Sequence, residues 1–165
     1  MMSVNLRPAT TGDAAAIAAI YAPYVRDSVA TFELEAPEPS TIATRIGQVQ
    51  AHGLPWLVAE CDGQLHGYAY ATTWKPRAAY DRTVETTIYL GPLATGQGLG
   101  RRLYAMLLDE LQRAGLHALL GGIALPNAAS VGLHEALGFT HVGTLRQVGF
   151  KCGRWVDVGY WQKLL

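Results

Sequence analysis

The stretch "YLGPLATGQGLGRRLYAMLLDELQRAG", residues 89–115, decides the fold: an apolar run ends, the hexapeptide "TGQGLG" follows, and a helical pattern begins at once. From Gly98 onward Leu99, Leu103, Met106, Leu107 and Leu111 recur at three- and four-residue spacing as one apolar stripe. That spacing predicts a helix of about four turns, starting at the glycines and ending near Gly115. The first backbone N–H groups of such a helix have no partner within it, and its dipole adds partial positive charge. Glycines let an anionic ligand come close to that backbone, so phosphate is the natural guest; a bare strand-to-helix turn is the plainer alternative. No GK[ST] follows the glycines, which argues against a Walker-type triphosphatase. No GxGxxG with an acidic residue about 20 positions on is present, which argues against a dinucleotide site.

Working outward, Ile17, Ile20, Tyr21 and Tyr24 share one face of a helix expected over 13–29, with Asp13 as its N-cap. A second helix is expected over 40–51, after the Pro-containing loop "EAPEPS". Alternation around "DGQ" predicts a hairpin of 56–60 with 65–72, and the β-branched "TVETTIYL" predicts a strand over 83–90. "LHALLGGIAL" reads as a strand, and "NAASVGLHEALG" as a helix capped by Asn127 and Gly138. A final pair of strands turns at "KCGR". Two helices, three strands, helix, strand, helix and two strands make an α/β fold with a mixed sheet, in one domain spanning 1–165.

Composition narrows the function. The chain has 165 residues, half of them apolar, enough for one core. Thirteen basic residues balance thirteen acidic ones, so no global field draws the chain to nucleic acid or to an anionic membrane, and an anionic ligand must be held locally. The N-terminal stretch is broken by Arg7, Pro8 and Asp13 before it reaches signal or membrane length. Cys61 and Cys152 are far apart, and His52, His66, His117 and His141 have no metal-binding spacing. The expectation is a cytoplasmic protein without a metal.

The strand, the glycine loop, the helix and, about 25 residues on, "LPNAASVGLHEALGF" resemble the GNAT superfamily of acetyl-CoA-dependent N-acyltransferases. In that superfamily the loop grips the cofactor pyrophosphate and reads R/Q-x-x-G-x-G/A. Here Gly98 and Gly100 are in place, and Thr95 stands where Arg or Gln is expected. "WKPRAAYDRTVETTIYL", "IALPNAASVGLHEALGF" and "GFKCGRWVDVGYWQ" resemble, in order and spacing, the phosphinothricin and methionine sulfoximine N-acetyltransferases, over about residues 6–162. The resemblance implies a single-domain GNAT fold, with a mostly antiparallel sheet flanked by helices. It also implies acetyl-CoA as cosubstrate, a small amino-acid-like acceptor and a homodimer.

Moving an acetyl group from a thioester to an amine needs a neutral amine, adjacent reactants, a polarised carbonyl and a protonated leaving thiolate. No covalent enzyme intermediate is required, so the cysteines read as packing residues. Strand alternation puts Glu85, Thr87 and Tyr89 on one face, and a carboxylate inside an apolar strand is costly unless it meets a cleft or a partner. By resemblance Glu85 is the general base; otherwise it is an exposed strand glutamate or a structural ion pair. His134 shares a helix face with Val131 and Leu137. It is either a core-edge histidine or, as the resemblance implies, a proton carrier for the amine or the thiolate.

The resemblance places the cofactor on the backbone of Ile88, Tyr89 and Leu90, the loop residues Gly96, Gln97, Gly98, Leu99, Gly100 and Arg101, and Asn127. It places the acceptor against Phe32, Lys75, Arg77, Tyr80, Tyr89 and Val158. Lys75 and Arg77 have the chemistry to hold an anionic head group, or else they are simply solvated.

Overall fold

In the computed structural model, which describes residues 4–94 and 97–165, the chain runs β1 (Val4–Pro8), α1 (Ala14–Asp27), α2 (Pro39–Ala51), β2 (Trp56–Cys61), β3 (Gln64–Thr73), β4 (Thr83–Leu90), α3 (Leu99–Arg113), β5 (Ala118–Leu125), α4 (Ala128–Ala136), β6 (Thr140–Lys151) and β7 (Arg154–Leu164). The strands form one sheet in the order β1-β2-β3-β4-β5-β7-β6. All neighbours pair antiparallel except β4 with β5. No described helix is long and apolar enough to cross a membrane.

The sequence reading has six strands and opens on a helix; the structure adds β1, paired with β2 from Val4↔Cys61 to Pro8↔Leu57. Five residues are too few to show a period, and long-range contacts hold them instead. Arg7 reaches Asp13 at 2.9 Å and Glu60 at 2.7 Å, which ties the edge strand to the start of α1 and to β2. Pro8 is tolerated because an edge strand leaves one side of its backbone unpaired.

Helices lie on both faces of the sheet. A Cβ on Gly67 would be 3.6 Å from Leu103 of α3, while the next residue, Tyr68, stacks toward Tyr89, which itself meets Tyr21 and Tyr24 of α1. Adjacent strand residues point to opposite faces, so α1 and α3 sandwich the sheet. The α3 stripe is buried through Leu99, Leu103, Leu107 and Leu111, in one core with Leu57, Ala69, Val84 and Leu119. Each such leucine contributes about 2 kcal/mol of burial, which seats α3 and fixes where its N-terminus points.

Parallel pairing of β4 with β5 is confined to Thr83↔Ala118, Val84↔Leu119 and Glu85↔Leu120. Beyond Glu85 the two strands part, and the gap passes through the sheet from one helical layer to the other.

Candidate active site

The parting of β4 and β5 opens a cavity of about 630 Å³. Its lining joins residues far apart in sequence, among them Phe32, Glu85, Thr86, Asn127, His134 and Val158. Ile88, Tyr89 and Leu90 also border it, as does Tyr24, whose hydroxyl donates to the Leu90 carbonyl at 2.6 Å.

Glu85 is half-buried on the α1 face, and desolvation pushes its pKa above the ordinary carboxylate value. Burial disfavours the charged form, and a carboxylate so weakened in acidity is a better proton acceptor near neutral pH. Gly122 lies beside both Tyr160 and Glu85: a Cβ there would press on the Tyr160 ring at 3.2 Å and stand in ordinary contact with Glu85 Oε1 at 3.7 Å.

His134 enters from the opposite face and is 4 % exposed. Its Nδ1 lies 2.7 Å from the Ser130 carbonyl and its Nε2 lies 2.9 Å from the Tyr104 hydroxyl. The ring sits edge-on between Tyr104 and Phe139. Burial lowers its pKa, against a smaller opposing effect of the Ser130 bond, so the neutral ring is favoured.

At the N-terminus of α3, Gly98 is the N-cap with φ +73°, and a Cβ there would meet open space. Gly100 packs so closely that a Cβ would stand 2.9 Å from Leu90 Cδ1, which sets the helix start against the end of β4. Arg101 is exposed in the first turn, and the Gln97 side chain closes onto the Leu93 carbonyl at 2.9 Å. Gly96, like Thr95, lies outside the described residues. Asn127 caps α4 by accepting from Ser130 N at 3.1 Å, a role that uses its amide oxygen and not its NH₂. An opened strand edge and a cap asparagine on one cavity, with a glycine-led helix start packed against the bordering Leu90, suit an extended ligand with a phosphate head.

Phe32 is held on both sides. Thr31 accepts from the buried Lys151 ammonium through its carbonyl at 2.8 Å and bonds the Tyr21 hydroxyl at 2.6 Å. Glu33 pairs with Arg45, which holds its carboxyl below the usual range. The Phe32 ring then lies directly over Gly149, where a Cβ would collide with its edge at Cζ and Cε2.

The structure therefore brings Glu85, His134, Phe32, Tyr89, Val158, Asn127 and residues 88–90 to one cavity. Gln97, Gly98, Leu99, Gly100 and Arg101 do not line it, and the start of α3 instead packs against the bordering Leu90 through Gly100. Lys75, Arg77 and Tyr80 do not line it either; they lie on the exposed connection between β3 and β4. That connection is tied to the cavity wall by Trp74, edge-on to Tyr160 at 5.8 Å, with Lys75 Nζ 5.5 Å from the Trp74 ring. The sequence reading missed Tyr104, Lys151 and the "GG" pair at 121–122. Tyr104 hid in a leucine stripe, and the glycine pair inside a strand was the available signal of close approach.

The chain matches the acetyltransferase (GNAT) domain over residues 6–159. It is 44 % identical over 160 residues to phosphinothricin N-acetyltransferase of Streptomyces viridochromogenes, covering 97 % of this chain and 87 % of the relative. It is 37 % identical over 159 residues to the L-methionine sulfoximine/L-methionine sulfone acetyltransferase of Salmonella typhimurium, covering 96 % and 93 %. The crystal structure of a GNAT superfamily phosphinothricin acetyltransferase from Sinorhizobium meliloti in complex with acetyl-CoA superposes with a TM-score of 0.95 at 36 % identity, over 99 % of this chain and 89 % of that one. With the parted strands, the glycine-led helix and this match along nearly its whole length, the chain belongs to the GNAT acetyltransferase family.

Proposed function

We propose that this enzyme transfers the acetyl group of acetyl-CoA to the α-amine of a small free amino acid with a tetrahedral phosphinate, sulfone or sulfoximine end. The observation that carries the reading is Glu85: a half-buried carboxylate of weakened acidity in a cavity that passes through the sheet. The donor occupies the gap between β4 and β5. Its pyrophosphate rests on residues 96–101 and its pantetheine arm on the backbone of 88–90 and on Asn127. The acceptor enters from the α1 face, between Phe32, Tyr89 and Val158, while Lys75, Arg77 and Tyr80 meet its anionic groups at the mouth.

In this reading the amine attacks the thioester directly within the ternary complex. Glu85 takes the ammonium proton, leaving a neutral amine beside the thioester carbonyl. Cys61 is buried and Cys152 exposed, and neither lines the cavity, so the route needs no acyl-enzyme. We further propose a cytoplasmic homodimer that serves to detoxify such acceptors. The exposed apolar side chains of Val142 and Phe150 on edge strand β6 favour a second copy as their cover.

The test is release of CoA with phosphinothricin, methionine sulfoximine and methionine sulfone, alongside a lysine-containing peptide. Turnover of the free amino acids supports the reading. Efficient turnover of the peptide alone overturns the substrate class and favours a protein N-acetyltransferase.

A further inference from the structure

Thr86 of β4, Tyr104 of α3 and His134 of α4 come from three separate elements and meet inside the core, at 4 %, 0 % and 4 % exposure. Thr86 and His134 both line the cavity, and Tyr104 lies behind them. The hydrogen bonds have one consistent direction for a neutral ring. A carbonyl only accepts, so the 2.7 Å contact to Ser130 puts the imidazole proton on Nδ1 and leaves the lone pair on Nε2. Tyr104 then donates to Nε2 at 2.9 Å. Its single proton being used, the phenol oxygen accepts from Thr86 Oγ1 at 2.5 Å. Apolar packing alone would be met by phenylalanine at 104. The phenol instead joins two groups that face the same cavity.

We propose that Thr86, Tyr104 and His134 form a proton relay in which Thr86 Oγ1 exchanges a proton with the reacting atoms and Tyr104 carries it to and from His134 Nε2. The proposal rests on the acetyl-transfer reading above. Once the amine has added to the carbonyl, nitrogen and sulfur are bonded to the same carbon and lie within reach of one hydroxyl. The surplus proton leaves nitrogen for Thr86 Oγ1, the Thr86 proton moves to Tyr104 and the Tyr104 proton to Nε2, so that nitrogen becomes neutral and the ring an imidazolium. The C–S bond then breaks with its electron pair on sulfur. Thr86 protonates the thiolate, Tyr104 reprotonates Thr86, and Nε2 reprotonates Tyr104. One proton has passed from nitrogen to sulfur, the ring is neutral again, and solvent supplies nothing. Glu85, on the opposite face of β4, serves the earlier loss of the ammonium proton. In this scheme Thr86 is the catalytic residue and Tyr104 a positioning residue that acts through it.

The experiment compares Thr86→Val, Thr86→Ser, Tyr104→Phe and the Tyr104→Phe/Thr86→Val double variant by kcat, by acetyl-CoA Kd, and by ¹⁵N NMR of the His134 ring. Thr86→Val and Tyr104→Phe are each expected to lower kcat about tenfold or more, with acetyl-CoA Kd changed by less than about twofold. Thr86→Ser restores turnover, and the double variant is no slower than the slower single, because one relay is cut only once. In the wild type the ring shows Nδ1–H, and in Tyr104→Phe the signal of the unprotonated nitrogen moves as its phenol donor is lost. Wild-type kcat in Thr86→Val, additive losses in the double variant, or an Nε2–H tautomer overturns the relay. A wild type that turns over no acceptor at all overturns the acetyl-transfer reading and the relay with it, whereas turnover surviving Thr86→Val sinks the relay alone.

Discussion

Gly121 and His134 approach so closely that a Cβ on Gly121 would stand 2.6 Å from Nε2 and 2.8 Å from Cδ2. The imidazole cannot yield cheaply, because Ser130 and Tyr104 hold its two nitrogens and Phe139 packs against its side. Gly121→Ala is therefore expected to cost about 1–3 kcal/mol of stability, as overpacked cores do, and to lower kcat more than it weakens acetyl-CoA binding. Denaturant unfolding and steady-state kinetics check this, and wild-type values in both would mean that the ring is not locked.

The proposed cofactor loop can be probed where the fold leaves space. Gly98 holds φ +73° with nothing near its Cβ direction, so a side chain there collides with a ligand rather than with the protein. Gly98→Val should lose about 1–2 kcal/mol of stability to backbone strain and weaken acetyl-CoA binding by about tenfold or more. Calorimetry reads the second effect directly, and unchanged affinity would remove the pyrophosphate assignment.

Arg77, proposed to stand at the acceptor mouth, is exposed, which sets the scale of its effect. A rim charge pair is worth about 1 kcal/mol, or about fivefold in an equilibrium. Arg77→Ala should accordingly raise the acceptor KM about fivefold and leave acetyl-CoA Kd alone. An unchanged acceptor KM would place Arg77 outside the acceptor site.

Edge strand β1 gives a pH-dependent test of the fold. Asp13 has its pKa lowered chiefly by the hydrogen bonds from Arg7. A carboxyl whose folded pKa lies below its unfolded value of about 3.9 stabilises fully above that value, and this contribution is lost as pH falls through the folded pKa. Asp13→Asn should cost about 1 kcal/mol at pH 7 and almost nothing once the pH lies below the lowered folded pKa of Asp13. Urea midpoints at the two pH values check this, and a deficit that persists in acid would assign it to packing.

What the sequence revealed and what it hid divide along physical lines. Strand β4 has the boundaries its β-branched run predicts, and α3 begins at Leu99, where the glycines end and the stripe starts. Helix α1 stops at Asp27, two residues short of the expected end. There Ser28 turns extended and its hydroxyl bonds back to the Tyr24 carbonyl. Edge strand β1 was invisible because pairing and an ion network hold it rather than any period of its own. Glu85 stood out because a carboxylate inside an apolar strand is costly, while its expected role came from the resemblance, and Asn127 was legible as a helix cap because asparagine is a favoured N-cap. Tyr104 was not, since an aromatic beside a leucine stripe reads as core until its hydroxyl partners are seen. The exposure of Lys75, Arg77 and Tyr80 depends on how the β3–β4 connection lies on the sheet, which no local pattern encodes.

The central claim, that Glu85 accepts the amine proton in this cavity, is tested most directly by the pH dependence of kcat/KM for the acceptor in wild type and in Glu85→Gln. Burial raises the Glu85 pKa, so the wild type should lose activity as pH falls through a value above the ordinary carboxylate pKa of about 4.3. Glu85→Gln should be slower by about 100-fold at neutral pH, lack that carboxylate limb, and recover as rising pH deprotonates the amine unaided. A Glu85→Gln variant with wild-type kcat/KM and the same acid limb would contradict the account.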